Sequence, residues 1–313
     1  MDEKEENKYC YFIPHPSSLI LPKCLSVCIF YSADIVMEGE TMKLGISSYT
    51  FTWAVGIPGY YPKRRMGVME LLNKAVELGV HVLQIADNLP LDRLSDAEIN
   101  SLAKFASSLN ITIEVGTRGI LNNNLLTYLR LAERLNSPIV RVVLDSLDYH
   151  PSADEAVNII KPIMPEFERA GVSLAIENYE TFNIKTLKQI VHRLDNKYAG
   201  ICLDNANSFG SMEGPDTVVE ELGPLAVDLH VKGFKIYRAN QNMGFIIEGT
   251  PIDKGILDLV WLFRKINEYG RDLNVILEQW TPSEGDIYAT IEKEALWAKT
   301  SIEYLRKFIP VES

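Results

Sequence analysis

The chain has 313 residues, 47% of them hydrophobic, enough for one large domain or two ordinary ones around a sizeable core. Its 42 acidic and 31 basic side chains give a formal net charge of −11. That balance argues against nucleic acid or an anionic membrane surface as partner, since both are bound through clustered Lys and Arg. Of the four cysteines only Cys202 lies beyond Cys28, so no disulfide framework follows and a reducing, cytoplasmic setting is expected.

Residues 1–41 differ from everything after them. They hold three of the cysteines, an acidic start (MDEKEE) and an apolar stretch at 19–36 broken by Pro22, Lys23 and Asp34. A secretory signal needs a basic start, and a membrane span needs an unbroken apolar run. This segment reads as a short N-terminal extension, peripheral or disordered, with Met42 as a natural start. Residues 42–313 read as the catalytic domain.

From Lys43 onward strand-like runs alternate with amphipathic segments. The runs are LGISS (44–48), VLQIA (82–86), ITIEV (111–115), IVRVVL (139–144), VSLAIE (172–177), GICLD (200–204), AVDLHV (226–231) and NVILE (274–278). Helical signals lie between them, such as the capping box of Ser95 with Glu98 and the helix-ending Gly79. Eight such β–α units predict an α/β fold, a parallel (β/α)8 TIM barrel. A doubly wound sheet usually has fewer units, and the dinucleotide fingerprint G-x-G-x-x-G is absent.

Barrel chemistry gathers where strands end. The fifth run ends in Glu177, the sixth in Asp204 and the eighth in Glu278, while the seventh carries His230. One acid at a strand end is more often a helix cap or a surface charge. Four such residues on successive strands are harder to dismiss. Three carboxylates sharing one mouth raise each other's pKa, and unpaired burial is expensive. A divalent metal resolves that conflict. Three oxygen donors and an imidazole suit Mn2+, Mg2+, Co2+ or Zn2+, with positions left for substrate oxygens.

In its local settings, IEN at 176–178, LDNANS at 203–208, HVKG at 230–233 and LEQW at 277–280, this quartet resembles the xylose-isomerase-like TIM barrels of the sugar phosphate isomerase/epimerase group. The resemblance runs from Met42 to about Phe308. It implies one divalent metal held by Glu177, Asp204, His230 and Glu278, with both glutamates doubling as proton-transfer groups. The activity it implies is isomerisation or epimerisation of a carbohydrate or polyol derivative through an enediolate. A metal-dependent lyase, dehydratase or deglycosylating enzyme on a keto-sugar is the alternative, and a non-catalytic metal- or ligand-binding barrel is a weaker third. The related DNA-repair endonucleases need several zinc ions and many histidines, and this chain has five His.

Two departures separate the chain from the ketose epimerases of that group. Asn207 stands where they have a histidine, and Ile236 where they have an arginine. Asn207 can orient a hydroxyl but cannot shuttle a proton. Lys232, two residues after His230, alternates onto the same side and is a candidate for a substrate oxyanion. Arg118 and His150, after the third and fourth runs, are further substrate-binding candidates. Gln84 and Asn88 are candidates for hydroxyls, and Phe51, Trp53 and Trp280 for stacking on a sugar. The long loop at 233–253 is expected to cover the mouth, to supply a contact such as Glu248, or to meet another copy of the chain in a homo-oligomer.

Overall fold

A computed structural model of the chain describes residues 42–121, 123–271 and 273–309. The extension read at 1–41, with Cys10, Cys24 and Cys28, lies outside the described residues. From Met42 the fold is the expected barrel. Seven staves follow in order: β1 (Leu44–Ser47), β2 (Val82–Ile85), β3 (Thr112–Arg118), β4 (Ile139–Val143), β5 (Ser173–Glu177), β6 (Ala199–Asp204) and β7 (Ala226–Val231). A two-stranded sheet, β8 (Phe234–Arg238) and β9 (Phe245–Gly249), comes next, and β10 (Val275–Leu277) closes the barrel between β7 and β1. All barrel pairings are parallel.

Strand limits shift slightly from the sequence reading. β3 continues to Arg118, and β10 stops at Leu277, so Glu278 stands just past its strand. The helices obey their local signals. Ser95 and Glu98 form a reciprocal capping box on the helix Asp96–Ser108, and Gly79 ends the helix Val68–Leu78 in the left-handed region at φ 62°.

The main core lies between staves and helices, where Leu83, Ile85, Leu102, Val140, Leu174 and Leu262 are buried. Inside the barrel the apolar filling is small: Ile139, Ala175 and Cys202. The remaining lumen is polar, with Gln84, Glu114, Arg141, Asp228 and His230 all buried. Gly116 pairs in register with Arg141, and a Cβ there would sit 3.3 Å from the Arg141 Cδ. The glycine leaves the arginine room to cross the lumen.

The long connection at 233–253 contains a regular antiparallel hairpin, with Phe234 opposite Gly249 and Arg238 opposite Phe245. Across it Lys235 holds Glu248 at 2.8 Å, so Glu248 is spent on the hairpin itself. Among the described residues no helix is long and apolar enough to cross a membrane.

Candidate active site

The barrel brings the four expected residues together. One ligand-type atom from each of Glu177, Asp204, His230 and Glu278 lies within 4.8 Å of the others, and all four side chains are buried. His230 Nδ1 is the hub: Glu278 Oε1 is 3.5 Å away, Asp204 Oδ2 3.7 Å and Glu177 Oε1 3.8 Å. Each carboxylate is held by its own donors. Ala206 N and Asn207 N donate to Asp204 Oδ1, Asn207 Nδ2 donates to Glu177 Oε1 at 2.7 Å, and Ser47 Oγ donates to Glu278 Oε1 at 2.8 Å.

Behind the histidine the hydrogen-bond logic fixes a tautomer. The Gln84 amide nitrogen donates to Asp228 Oδ2 at 2.7 Å and Glu114 Oε2 at 3.1 Å, so its oxygen must face His230 Nε2, 2.8 Å away. Nε2 therefore carries a proton, which leaves Nδ1 as the nitrogen that can offer a lone pair to a metal. That Nδ1 is buried without a hydrogen-bond partner and looks at three carboxylates. Burial would lower the imidazole, but Cys202, Glu278 and Glu177 hold it well above its usual range, so the site calls for positive charge at Nδ1, and a metal cation at its centre would supply it to all four. The donor set thus fits a divalent metal. Cys202 Sγ lies 3.2 Å from His230 on the Nε2 side, and burial pushes its thiol up, so it remains a protonated neighbour. Glu114, deeper in the lumen, is pushed up to about 8 by burial and by Asp228.

Cations line the same cluster. Lys232 Nζ contacts Asp204 Oδ2 and reaches Glu278 Oε2 at 2.9 Å. Burial would lower its ammonium, but Asp204 and Glu278 more than reverse this and hold it well above its usual range. Burial would likewise raise both acids. Lys232 and His230 hold Asp204 below its usual range, and His230 and Lys232 bring Glu278 down to about 2. Arg141, from the middle of β4, contacts Glu177 Oε2 and holds Asp87 Oδ1 at 2.7 Å.

Of the other sequence candidates, Asn207 and Lys232 join the cluster. Arg118 lies further out on the wall, 3.4 Å from both Asp87 and Asp145 and stacked on the Tyr179 ring. His150 stays outside: its side chain is 63% exposed and reaches only Asp145, at 3.4 Å. Asn178, next to Glu177, bonds the Asp204 backbone and Ser208 and so ties β5 to β6. Gln84 sits beneath His230 and Asn88 bonds Ser48, so neither faces the mouth as a hydroxyl binder. Phe51 belongs to the core.

Arg141, Asp87 and Tyr49 escaped the sequence reading. Tyr49 donates to Asp87 at 3.1 Å under the Arg141 guanidinium. The available signal was a charge in mid-strand, in IVRVV as in ITIEV and AVDLHV, where flanking β-branched residues place it inside the barrel.

Above the cluster is a cavity of about 510 Å3, within the range that holds small molecules. Its floor includes Glu177, Glu278, Lys232 and Arg141; Trp53, Tyr179, Phe209 and Trp280 form aromatic walls. No residue of the 234–249 hairpin lines it.

Residues 72–308 match the family model described as xylose isomerase-like TIM barrel. The chain is 32% identical over 264 residues to the 3-oxo-isoapionate decarboxylase of Pectobacterium atrosepticum, covering 84% of this chain and 95% of that enzyme. Its fold is similar to the D-psicose 3-epimerase of Clostridium cellulolyticum H10, with TM-score 0.65 and 16% identity over 86% of this chain and 100% of that one. It is also similar to a xylose isomerase-like TIM barrel protein of Mycobacterium smegmatis in complex with magnesium, with TM-score 0.60 and 16% identity over 85% and 98% of the two chains.

Proposed function

The chain belongs to the xylose isomerase-like TIM-barrel family, and from that premise we propose that it is a divalent-metal-dependent carbon–carbon lyase that decarboxylates a 3-oxo sugar acid. The observation that carries this reading is that both candidate bases lie against buried positive charge, Glu177 against Arg141 and Glu278 against Lys232, whose place beside Glu278 the metal would take. A carboxylate held in that way is a poor base. Loss of CO2 from a 3-oxo acid needs no base: the C1–C2 bond breaks, its electron pair enters C2–C3, and negative charge collects on the C3 oxygen. The 32% identical decarboxylase supports the same choice.

Glu177, Asp204, His230 and Glu278 would hold the metal, which supplies Lewis acidity towards substrate oxygens. Arg141 and Lys232 add positive charge at the cavity floor, beneath aromatic walls. A proton must then return to C2. Lys232 and Tyr49 both line the cavity and both keep their protons at neutral pH, Tyr49 because burial and Asp87 push its hydroxyl up. Asn207, bonded to Glu177, takes no part in proton transfer and positions that carboxylate.

The isomerase–epimerase reading keeps one observation: Glu177 and Glu278 both lie beside His230 Nδ1, as a two-carboxylate proton exchange would use them. One experiment separates the two. A 3-oxo sugar acid labelled with 13C at the carboxyl should release 13CO2 in D2O and leave one deuterium at C2 of the product. Deuterium entering intact substrate without 13CO2 would establish the second reading instead.

A further inference from the structure

We infer that the Lys232 ammonium is an internal stand-in for the divalent cation, which metal entry displaces from Asp204 and Glu278 and turns towards the cavity to meet an anionic substrate oxygen. The inference rests on the metal-dependent reading above and assigns one side chain a metal-responsive role within it. Lys232 Nζ lies on Asp204 Oδ2 and 2.9 Å from Glu278 Oε2. Asp204 Oδ2 is also the oxygen that faces His230 Nδ1, so the ammonium and a metal compete for that atom, whereas on Glu278 the ammonium takes Oε2 and Oε1 faces the histidine. Two cations on shared, buried carboxylates repel strongly, with no water between them to screen the charge.

Arg141 meets no such conflict, because it takes the Oε2 of Glu177 while Oε1 is the atom nearer His230. Lys232 has somewhere to go. Its Nζ lies 5.6 Å from the Trp280 ring centroid and 3.4 Å from Asn207 Oδ1, and both residues line the cavity. Its four-carbon stem can swing that far, and the aromatic face holds a cation without a counter-ion. Before metal binds, the lysine offsets the mutual repulsion of the acids. Afterwards its charge faces the cavity, where the ligand class it fits is a planar anion with adjacent oxygens, such as an enediolate. Metal and anion binding are thereby coupled.

The test is calorimetric titration of Mn2+ into chelator-stripped full-length protein, comparing the parent with Lys232→Gln and the charge-retaining Lys232→Arg. Lys232→Gln should bind Mn2+ about tenfold more tightly or better, and Lys232→Arg no more tightly than the parent. The Mn2+-loaded Lys232→Gln protein should bind oxalate, a planar two-oxygen anion, about tenfold more weakly than the loaded parent. Unchanged or weaker Mn2+ binding by Lys232→Gln overturns the inference and leaves the metal-dependent reading standing. A parent that binds no divalent cation overturns both. A second measurement needs no variant: the 15N-lysine ammonium resonance protected in metal-free parent should shift or lose protection when Mg2+ is added, and a resonance indifferent to Mg2+ overturns the inference.

Discussion

Arg141 bridges buried Glu177 and part-buried Asp87 from inside the barrel; its loss leaves Glu177 without its cation, while Asp87 keeps Arg118 and Tyr49. Arg141→Met should lower unfolding free energy by about 3–5 kcal/mol in urea titration, as removal of one partner from a buried pair does. CO2 release should fall by about 100-fold or more with it. Arg141→Lys should recover little, because a point charge cannot span both acids. Gln84 acts through His230. Gln84→Leu removes the acceptor for Nε2–H and should weaken metal binding by about 10–100-fold, while Gln84→Glu, which keeps an acceptor, should lose less. Equal affinities of the two variants would remove the tautomer argument. The clustering of Glu177, Asp204, His230 and Glu278 was legible because each acid ends a run of apolar residues and the histidine interrupts one. Arg141 was not, because its two partners come from different strand ends and Asp87 lies 54 residues away.

The 234–249 hairpin shows where reading elements from sequence ran out. FKIYR and FIIEG are both strand-like, and the connection ANQNMG places Asn242 at φ 57° and Gly244 at φ 90°, the left-handed conformations a tight turn demands. Seen only as a long βα connection, it suggested a cover for the mouth. The described cavity is lined by residues in or following β1, β3, β4, β5, β6, β7 and β10, and by none of the hairpin. Replacing 237–246 with a short turn should therefore leave metal affinity and turnover within about twofold of the parent. A collapse of turnover with metal affinity intact would restore the covering role. The barrel itself was readable because eight apolar runs recur with helical spacers, whereas its polar lumen became visible only when closure put Gln84, Glu114 and Asp228 in contact.

At the scale of the whole molecule, buried acids set how stability varies with pH. Burial pushes Glu294 up to about 8 although Trp53 N and Ala54 N donate to it. Between about 4.5, its ordinary value, and about 8, the folded protein keeps a proton that the unfolded chain has released, so stability falls as pH rises through that window. Glu278, brought down to about 2, works in the opposite sense: its contribution is complete above about 4.5 and is lost as pH falls towards 2. Glu294→Gln should flatten the decline between pH 5 and 8 by at most about 1.4 kcal/mol per pH unit, read from urea unfolding at each pH. Identical slopes would contradict the assignment. If one divalent metal, held by Glu177, Asp204, His230 and Glu278, enables decarboxylation, metal content and activity must rise and fall together. The most direct measurement follows metal content and CO2 release from a 3-oxo sugar acid in the same samples. Parent protein stripped by chelator and then reloaded is compared with Asp204→Asn and His230→Gln. The expected result is one metal per chain in the parent, activity lost on stripping and regained on reloading, and both metal and activity lost in the variants. Undiminished CO2 release from metal-free parent would contradict it.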